Sequence, residues 1–365
     1  MLAPVAEHAD LRKVMRDILE TRAGHEQVRE SAQSEPGFSR DLWSLLNAEM
    51  SVGILAVPEP RGGLGFGIAE LAVVFEEAGR ALLPEPLLVS ATLGVRAVLA
   101  APAGSVPDEV IAGVLDGSFV ATIAIAPQAD ADLEVGGVDG ALTISGRIGR
   151  VLLGGAVDVV VVRAGPERGE SLYLVDLRGD GTCRRTPLES LDHTRRLARV
   201  DLAATPAYLV AGPEAATRVS ADLENLSRTV LAAEHVGMID ALLEMTRTYL
   251  GQRHQFGRAL ASFQVIKHRL ADMLVDLERA RSAAMYAAAA FDLDPATAGL
   301  SSAVAGATCT DAVIRVAHEA VQLHGGIGFT WEHPAHYYVR RALGDEALFG
   351  SARADRVAIA DLLGI

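Results

Sequence analysis

Residues 119–211 differ in character from the rest of the chain, and that difference restricts the fold more than any other feature. Short runs rich in β-branched residues follow one another there: Phe119-Val-Ala-Thr-Ile-Ala-Ile-Ala, Ala141-Leu-Thr-Ile-Ser, Val157-Asp-Val-Val-Val-Val and Ser171-Leu-Tyr-Leu-Val. They are separated by Gly, Asp and Pro. Such runs build a small all-β domain, an antiparallel barrel or sandwich. On both sides the apolar period is helical. Leu42, Leu45 and Leu46 share one stripe, and Ile68 to Leu83 reads as an amphipathic helix with Glu76 and Glu77 outside. Beyond the β region, Glu224 to Gly251 predicts a long buried helix, and Ile266, Leu270, Met273, Leu274 and Leu277 space out a second that continues into Ala283–Ala290. Asp292 to Gly299 reads as a connecting loop, Ser302 to His324 as a third helix, and a last one follows Pro334. The expected fold is α+β and mostly α: a helical domain over 1–118, a β domain over 119–211 and an up-and-down bundle of about four helices over 212–365.

The 365 residues can bury a large core. A net charge of −14 argues against nucleic acid as partner, because neutralising phosphates needs a basic face. No run of apolar residues is long enough to span a membrane, and Met1 to Arg16 lacks the pattern of a secretory signal. Cys183 and Cys309 are the only cysteines, and no ligand spacing suggests a metal; two free thiols in a reducing cytoplasm are expected.

Two turns carry the chemistry. The first is Arg253-His-Gln-Phe-Gly, followed by Phe263-Gln264 and Lys267-His-Arg-Leu-Ala-Asp-Met. It reads as a helix ending in a tight reversal that projects an arginine and a glutamine. The second is Gln322-Leu-His-Gly-Gly-Ile-Gly-Phe-Thr, in which the double glycine ends a helix and leaves bare backbone for a flat or charged ligand. A fixed arginine beside exposed amides is a way to hold a diphosphate. Arg253, Lys267, His268 and Arg269 form a local basic patch suited to an anionic ligand in an acidic chain.

In this order, the two turns resemble the C-terminal domain of the acyl-CoA dehydrogenases, and the resemblance extends over almost the whole chain. The "AVPEPRGGLG" loop and "EEAGR" match its N-terminal domain in order, and the β region matches its middle domain in position. The resemblance implies that Arg253, Gln255, Phe256, Gln264, Gln322, Gly325 and Gly326 grip the adenylate and diphosphate of an FAD seated in a neighbouring subunit.

The same resemblance shows what is missing. Where the family holds the flavin ring, this chain has Ile125-Ala126-Pro127-Gln128-Ala129-Asp130 and Arg150-Val151-Leu152, so that Ile125, Ala126 and Leu152 replace polar contacts and Arg150 replaces a tryptophan. The catalytic glutamate is replaced by Phe349, and the alternative position, beside Arg228, is Ser227. Glu234 lies on the helix face of Ser227, about 10 Å along the axis. It reads as a relocated base, as a polar contact at the subunit interface, or as a buried structural pair, with Arg253 or His235 as partner. Asp345 and Glu346 read as a solvated acidic pair, and His324 as a helix cap or packing residue.

"AAEHVG", "RHQFGRALASFQVIKHRLADM" and "LHGGIGFTWEHP" resemble the subunit with a degenerate middle domain found in heteromeric, steroid-side-chain-type enzymes. This implies a cytoplasmic subunit of an FAD-dependent acyl-CoA dehydrogenase. It would act on an acyl-CoA substrate and be assembled with a homologous subunit as an α2β2 heterotetramer. A self-sufficient homo-oligomer using Glu234, or a catalytically dead scaffold, remain as alternatives.

Overall fold

The computed structural model describes residues 6–124, 131–138, 141–165, 169–179 and 181–365. The chain divides into two compact units. One comprises residues 29–66 and 84–227, the other residues 1–28, 67–83 and 228–365.

The first unit holds the sheet. Its strands are β1 (Ala121–Ala124), β2 (Ala131–Val138), β3 (Ala141–Leu152), β4 (Val159–Ala164), β5 (Ser171–Asp176), β6 (Cys183–Leu188) and β7 (Leu197–Ala211). They form one seven-stranded sheet in the order β1-β4-β5-β7-β3-β2, with β6 also on β7. All pairings are antiparallel except β1 with β4, which run parallel with Ala121 opposite Val159. A wholly antiparallel arrangement is therefore corrected at one edge. The four valines of β4 are fully buried because both faces of the strand are covered. β7 is long enough, at 15 residues, to pair with β3, β5 and β6.

Helices of this unit frame the sheet. In α3 (Arg40–Met50) Ser39 caps the first turn by accepting from the Leu42 amide at 3.2 Å. Trp43 donates its indole N–H to the carbonyl of Gly117, just past α6 (Asp108–Asp116), at 2.8 Å. Between these helices residues 87–94 wind into a π-helix, buried throughout and followed by α5 (Val95–Ala100). Its Ser90 hydroxyl accepts from the Ala121 amide at 3.0 Å, at the start of β1.

The second unit is helical. It is built from α1 (Ala6–Arg22), the start of α2 (His25–Gln33), α4 (Ile68–Ala81), residues from Arg228 onward of α7 (Pro213–Gln252), α8 (Gln264–Leu293), α9 (Ala298–His324), α10 (Ala335–Phe349) and α11 (Ala352–Leu363). Residues 212–365 contribute five of these helices, α7 to α11, where about four are expected. The fifth starts at Ser351, whose hydroxyl accepts from the Ala354 amide at 3.2 Å, and Arg228 binds it to α7 through Asp355 at 2.8 Å.

α4 and α7 cross backbone against backbone. A Cβ on Gly79 would lie 2.0 Å from the Glu234 carbonyl oxygen, and one on Gly237 would lie 1.8 Å from that of Glu76. Only glycine permits this approach.

Two readings are corrected here, one of exposure and one of secondary structure. Glu77 is 1% exposed, not outside, because it faces α1, where Arg16 Nε and Nη2 reach it at 2.8 Å and Arg12 Nη1 at 3.0 Å. Asp292 belongs to α8, not to a loop, and its carboxylate accepts from the Ile68 and Ala69 amides at 2.9 and 3.1 Å. A carboxylate there stabilises the positive end of α4.

Candidate functional site

The two turns lie at the same end of the bundle. α7 ends at Gln252, and the Arg253 amide still donates to the Tyr249 carbonyl at 2.8 Å. The chain then reverses through a two-stranded hairpin, β8 (His254–Gln255) and β9 (Arg258–Ala259). Phe256 and Gly257 form its tip, both left-handed, with φ of 54° and 79°. Positive φ at both central residues suits a two-residue hairpin, though it is unusual for phenylalanine. Leu260 closes the loop by donating to the Arg253 carbonyl at 2.9 Å. The Arg258 guanidinium sits 3.8 Å above the Phe263 ring, which meets Phe256 edge-on at 6.2 Å, and α8 begins at Gln264.

The second turn ends α9. Gly325 takes φ 65° and ψ −144°, a conformation reserved for glycine, and its amide donates to Val321 and Gln322. Residues 325–329 then coil into a 3₁₀ turn. A Cβ added to Gly325 or Gly326 would meet open space, whereas one on Gly328 would lie 2.9 Å from the His324 Cβ. The turn therefore folds tightly over His324 and leaves the two preceding glycines bare.

Side chains join the turns. The Tyr249 ring stacks on the His324 ring at 4.7 Å between centroids, and the His333 ring lies 4.3 Å from that of His324, tilted by 49°. His324 is 3% exposed. Its Nδ1 faces the Ala320 carbonyl at 2.7 Å, so Nδ1 carries the proton and Nε2 has no partner. Burial pulls the His324 and His336 imidazoles below their usual range. It pulls His333 down to about 4, with repulsion from a proton on His324, His25 or His336 adding to the effect.

Every residue expected to hold the diphosphate is exposed here: Arg253, Gln255, Phe256 and Gln264 about the hairpin, and Gln322, Gly325 and Gly326 at the end of α9. The basic patch is narrower than expected, because Glu319 engages the Arg269 guanidinium.

The residues weighed as bases lie elsewhere. Phe349 ends α10, and Ser227 is buried on α7 with its hydroxyl unpartnered. Glu234 is buried against Arg341, not Arg253 or His235; Arg341 also donates to the Leu82 and Leu83 carbonyls at 3.2 Å. His235 instead approaches Asp345 at 3.5 Å, and Asp345 is buried rather than solvated, since α10 turns it toward α7. Sequence reasoning missed Arg341 altogether. Its only local signal is an arginine one position inside the apolar stripe of α10.

In the sheet unit, Leu152 is buried at the end of β3, where its carbonyl accepts from the Thr122 hydroxyl at 2.9 Å. A cavity of about 10 Å³ lies beside it, lined by Glu85, Leu88, Leu152, Leu153, Thr194 and Arg195 among others. Arg150 is exposed. Ile125 to Asp130 lie outside the described residues. Cys183 and Cys309 are free thiols, and burial raises the Cys309 thiol far above its usual range. Among the described residues no helix is long and apolar enough to cross a membrane.

Comparison with known proteins bears on both ends of the chain. Residues 218–363 match the family model "Acyl-CoA dehydrogenase, C-terminal domain", and residues 5–105 match "Acyl-CoA dehydrogenase, N-terminal domain". The chain is 33% identical to acyl-CoA dehydrogenase IpdE2 of Mycolicibacterium smegmatis over 345 residues, 94% of each chain. Among solved structures it superposes on a chain of the ChsE4-ChsE5 complex from Mycobacterium tuberculosis with a TM-score of 0.87, at 28% identity, covering 99% of this chain and 98% of that one. A variant of the Tcur3481-Tcur3483 steroid ACAD follows at a TM-score of 0.85 and 29% identity, covering 98% of each. With both terminal domains matched and a relative aligned nearly end to end, the chain belongs to the acyl-CoA dehydrogenase family of FAD-dependent flavoproteins.

Proposed function

We propose that this chain is one subunit of a heteromeric acyl-CoA dehydrogenase that desaturates an acyl-CoA thioester between its α and β carbons. It supplies the adenylate and diphosphate half of an FAD site to a homologous partner, in an α2β2 assembly. The observation that carries this reading is the presence, at one end of the bundle, of a protruding arginine hairpin and a bare Gly325-Gly326 backbone joined by a side-chain stack. Both fit a diphosphate. Arg253 would place a fixed positive charge on it, Gln255, Gln264 and Gln322 would offer amide donors, and the glycines would let phosphate oxygens approach peptide N–H groups without a Cβ in the way. FAD, when bound, supplies the acceptor for the hydride leaving the β carbon.

The rest of the chemistry is assigned to the partner. The cavity beside Leu152, about 10 Å³, has room for about one water molecule, far below the roughly 300–1,000 Å³ typical of small-molecule sites, which supports a middle domain that no longer houses a flavin ring. Glu234 is held by Arg341, which favours a structural counter-ion over a proton acceptor. Both structural relatives are named as pairs of proteins, and one is called a steroid enzyme. Acyl-CoA thioesters with a steroid acyl group are therefore the substrates to try first. The division into domains at 118/119 and 211/212 belongs to the same proposal.

The test is the visible spectrum of the chain purified alone and after co-expression with a homologous subunit. Alone it should be colourless and inactive on acyl-CoA; the complex should be yellow and active. A homo-oligomer carrying stoichiometric flavin and turning over acyl-CoA overturns the proposal.

A further inference from the structure

The hairpin and the glycine turn come from helices far apart in sequence, so something must set their spacing if both are to touch one diphosphate. Among the described residues, one set of ring contacts spans them. Tyr249 lies one turn before Arg253 and accepts its amide hydrogen bond through its backbone, while His324 is the residue immediately before Gly325. Their rings overlap at 4.7 Å with an interplanar angle of 29°. His324 cannot rotate away. Its Nδ1 is tied to Ala320, the Gly328 backbone comes so close that a Cβ there would lie 2.9 Å from its own, and the His333 ring lies 4.3 Å from it.

We infer that Tyr249 and His324 are positioning residues, whose stack fixes the Gly325-Gly326 turn against the Arg253 hairpin and so sets the distance between the two diphosphate-binding elements. The inference rests on the half-site reading above. The stack touches neither the cofactor nor the substrate; it acts through the backbone on either side of it. An aromatic face at 249 is what the geometry requires, and the phenolic hydroxyl is not part of the argument.

The experiment compares Tyr249→Phe, which keeps the ring, with Tyr249→Leu, which keeps much of the volume but offers no face to His324. Two quantities are read: hydrogen–deuterium exchange of the full chain over residues 253–263 and 322–330, and FAD affinity of the apo-complex formed with the homologous subunit. Tyr249→Leu should speed exchange in both segments together and weaken FAD by about two- to tenfold, the range expected for one lost aromatic pair. Tyr249→Phe should restore both, and the melting temperatures should stay close to that of the wild type. Unchanged exchange and affinity in Tyr249→Leu overturn the inference. So does a Tyr249→Phe variant as impaired as Tyr249→Leu, since the ring stack would then not be what matters. Arg253→Ala, run in parallel, keeps the two readings apart. If it leaves FAD affinity unchanged the half-site reading fails, whereas if it weakens FAD while Tyr249→Leu does not, only the positioning role fails.

Discussion

Arg341 and Glu234 form an ion pair in which neither side chain exceeds 3% exposure, and the same guanidinium holds the Leu82 and Leu83 carbonyls where α4 ends. Leu82 itself is left-handed, with φ of 52°. One arginine of α10 therefore anchors α7 and the end of α4 at once. Glu234→Gln would keep the shape but remove the counter-charge that Glu234 gives the buried Arg341. Breaking such a pair costs about 3–5 kcal/mol, and chemical denaturation should show a loss approaching that figure. Turnover of the assembled enzyme, per folded complex, should fall by less than about tenfold. A loss in the range of about 10²–10⁴, with flavin content and stability intact, would make Glu234 the base.

Arg253 is exposed, and among the described residues no carboxylate pairs with it. Arg253→Ala should leave the melting temperature unchanged. In the assembled complex it should remove a charge-assisted contact of about 1.5–3 kcal/mol, so FAD should dissociate at least about tenfold more readily, as measured by flavin fluorescence on dilution.

The adjacent glycines separate strain from access. Gly325 needs its positive φ, so Gly325→Ala should distort the turn at a cost of about 1–3 kcal/mol and should lower both stability and FAD retention. Gly326 has no positive φ and open space around it. Gly326→Ala should therefore fold normally and lose FAD affinity alone. Equal FAD affinity in Gly326→Ala and the wild type would remove this backbone from the site.

Gly237 makes a prediction about stability only. An alanine there would push its Cβ into the Glu76 carbonyl, 1.8 Å away, and backbone cannot yield as a side chain can. Gly237→Ala should destabilise the chain by about 1–3 kcal/mol, the usual cost of overpacking, seen as a lower denaturation midpoint.

The histidines give the pH dependence. In the unfolded chain an imidazole takes up its proton near pH 6.5, whereas folded His333 does so only near 4, and His324 and His336 are also depressed. Between those values the unfolded state binds more protons, so stability rises with pH across the window. The contribution is complete above about pH 6.5 and is lost as pH falls toward 4. Around the cluster stand His25, Tyr249, Trp331, Tyr337 and Arg340. Urea midpoints from pH 7 to pH 4.5 should fall, and His333→Gln should flatten the decline. An unchanged slope in that variant would place the titration elsewhere.

What the sequence determined by itself was local. The valine run of β4, the apolar stripes of α7, α8 and α9, and the glycine that ends α9 follow from backbone preference and period, which a stretch of chain carries with it. So do the two turns as separate motifs. Their meeting through Tyr249 and His324 does not, because it depends on which faces of α7 and α9 pack together. The same holds for Glu77 against α1, for Asp345 turned inward to His235, and for the choice of Arg341 over Arg253 as the partner of Glu234. A buried charge is tolerable only where another element brings its counter-ion. Partners separated by 107 residues, as Glu234 and Arg341 are, leave no period in the sequence to announce them. Gly79 and Gly237 came nearest to an exception. A glycine inside a good helix is costly unless another backbone must come close, but which backbone was decided only when α4 and α7 crossed.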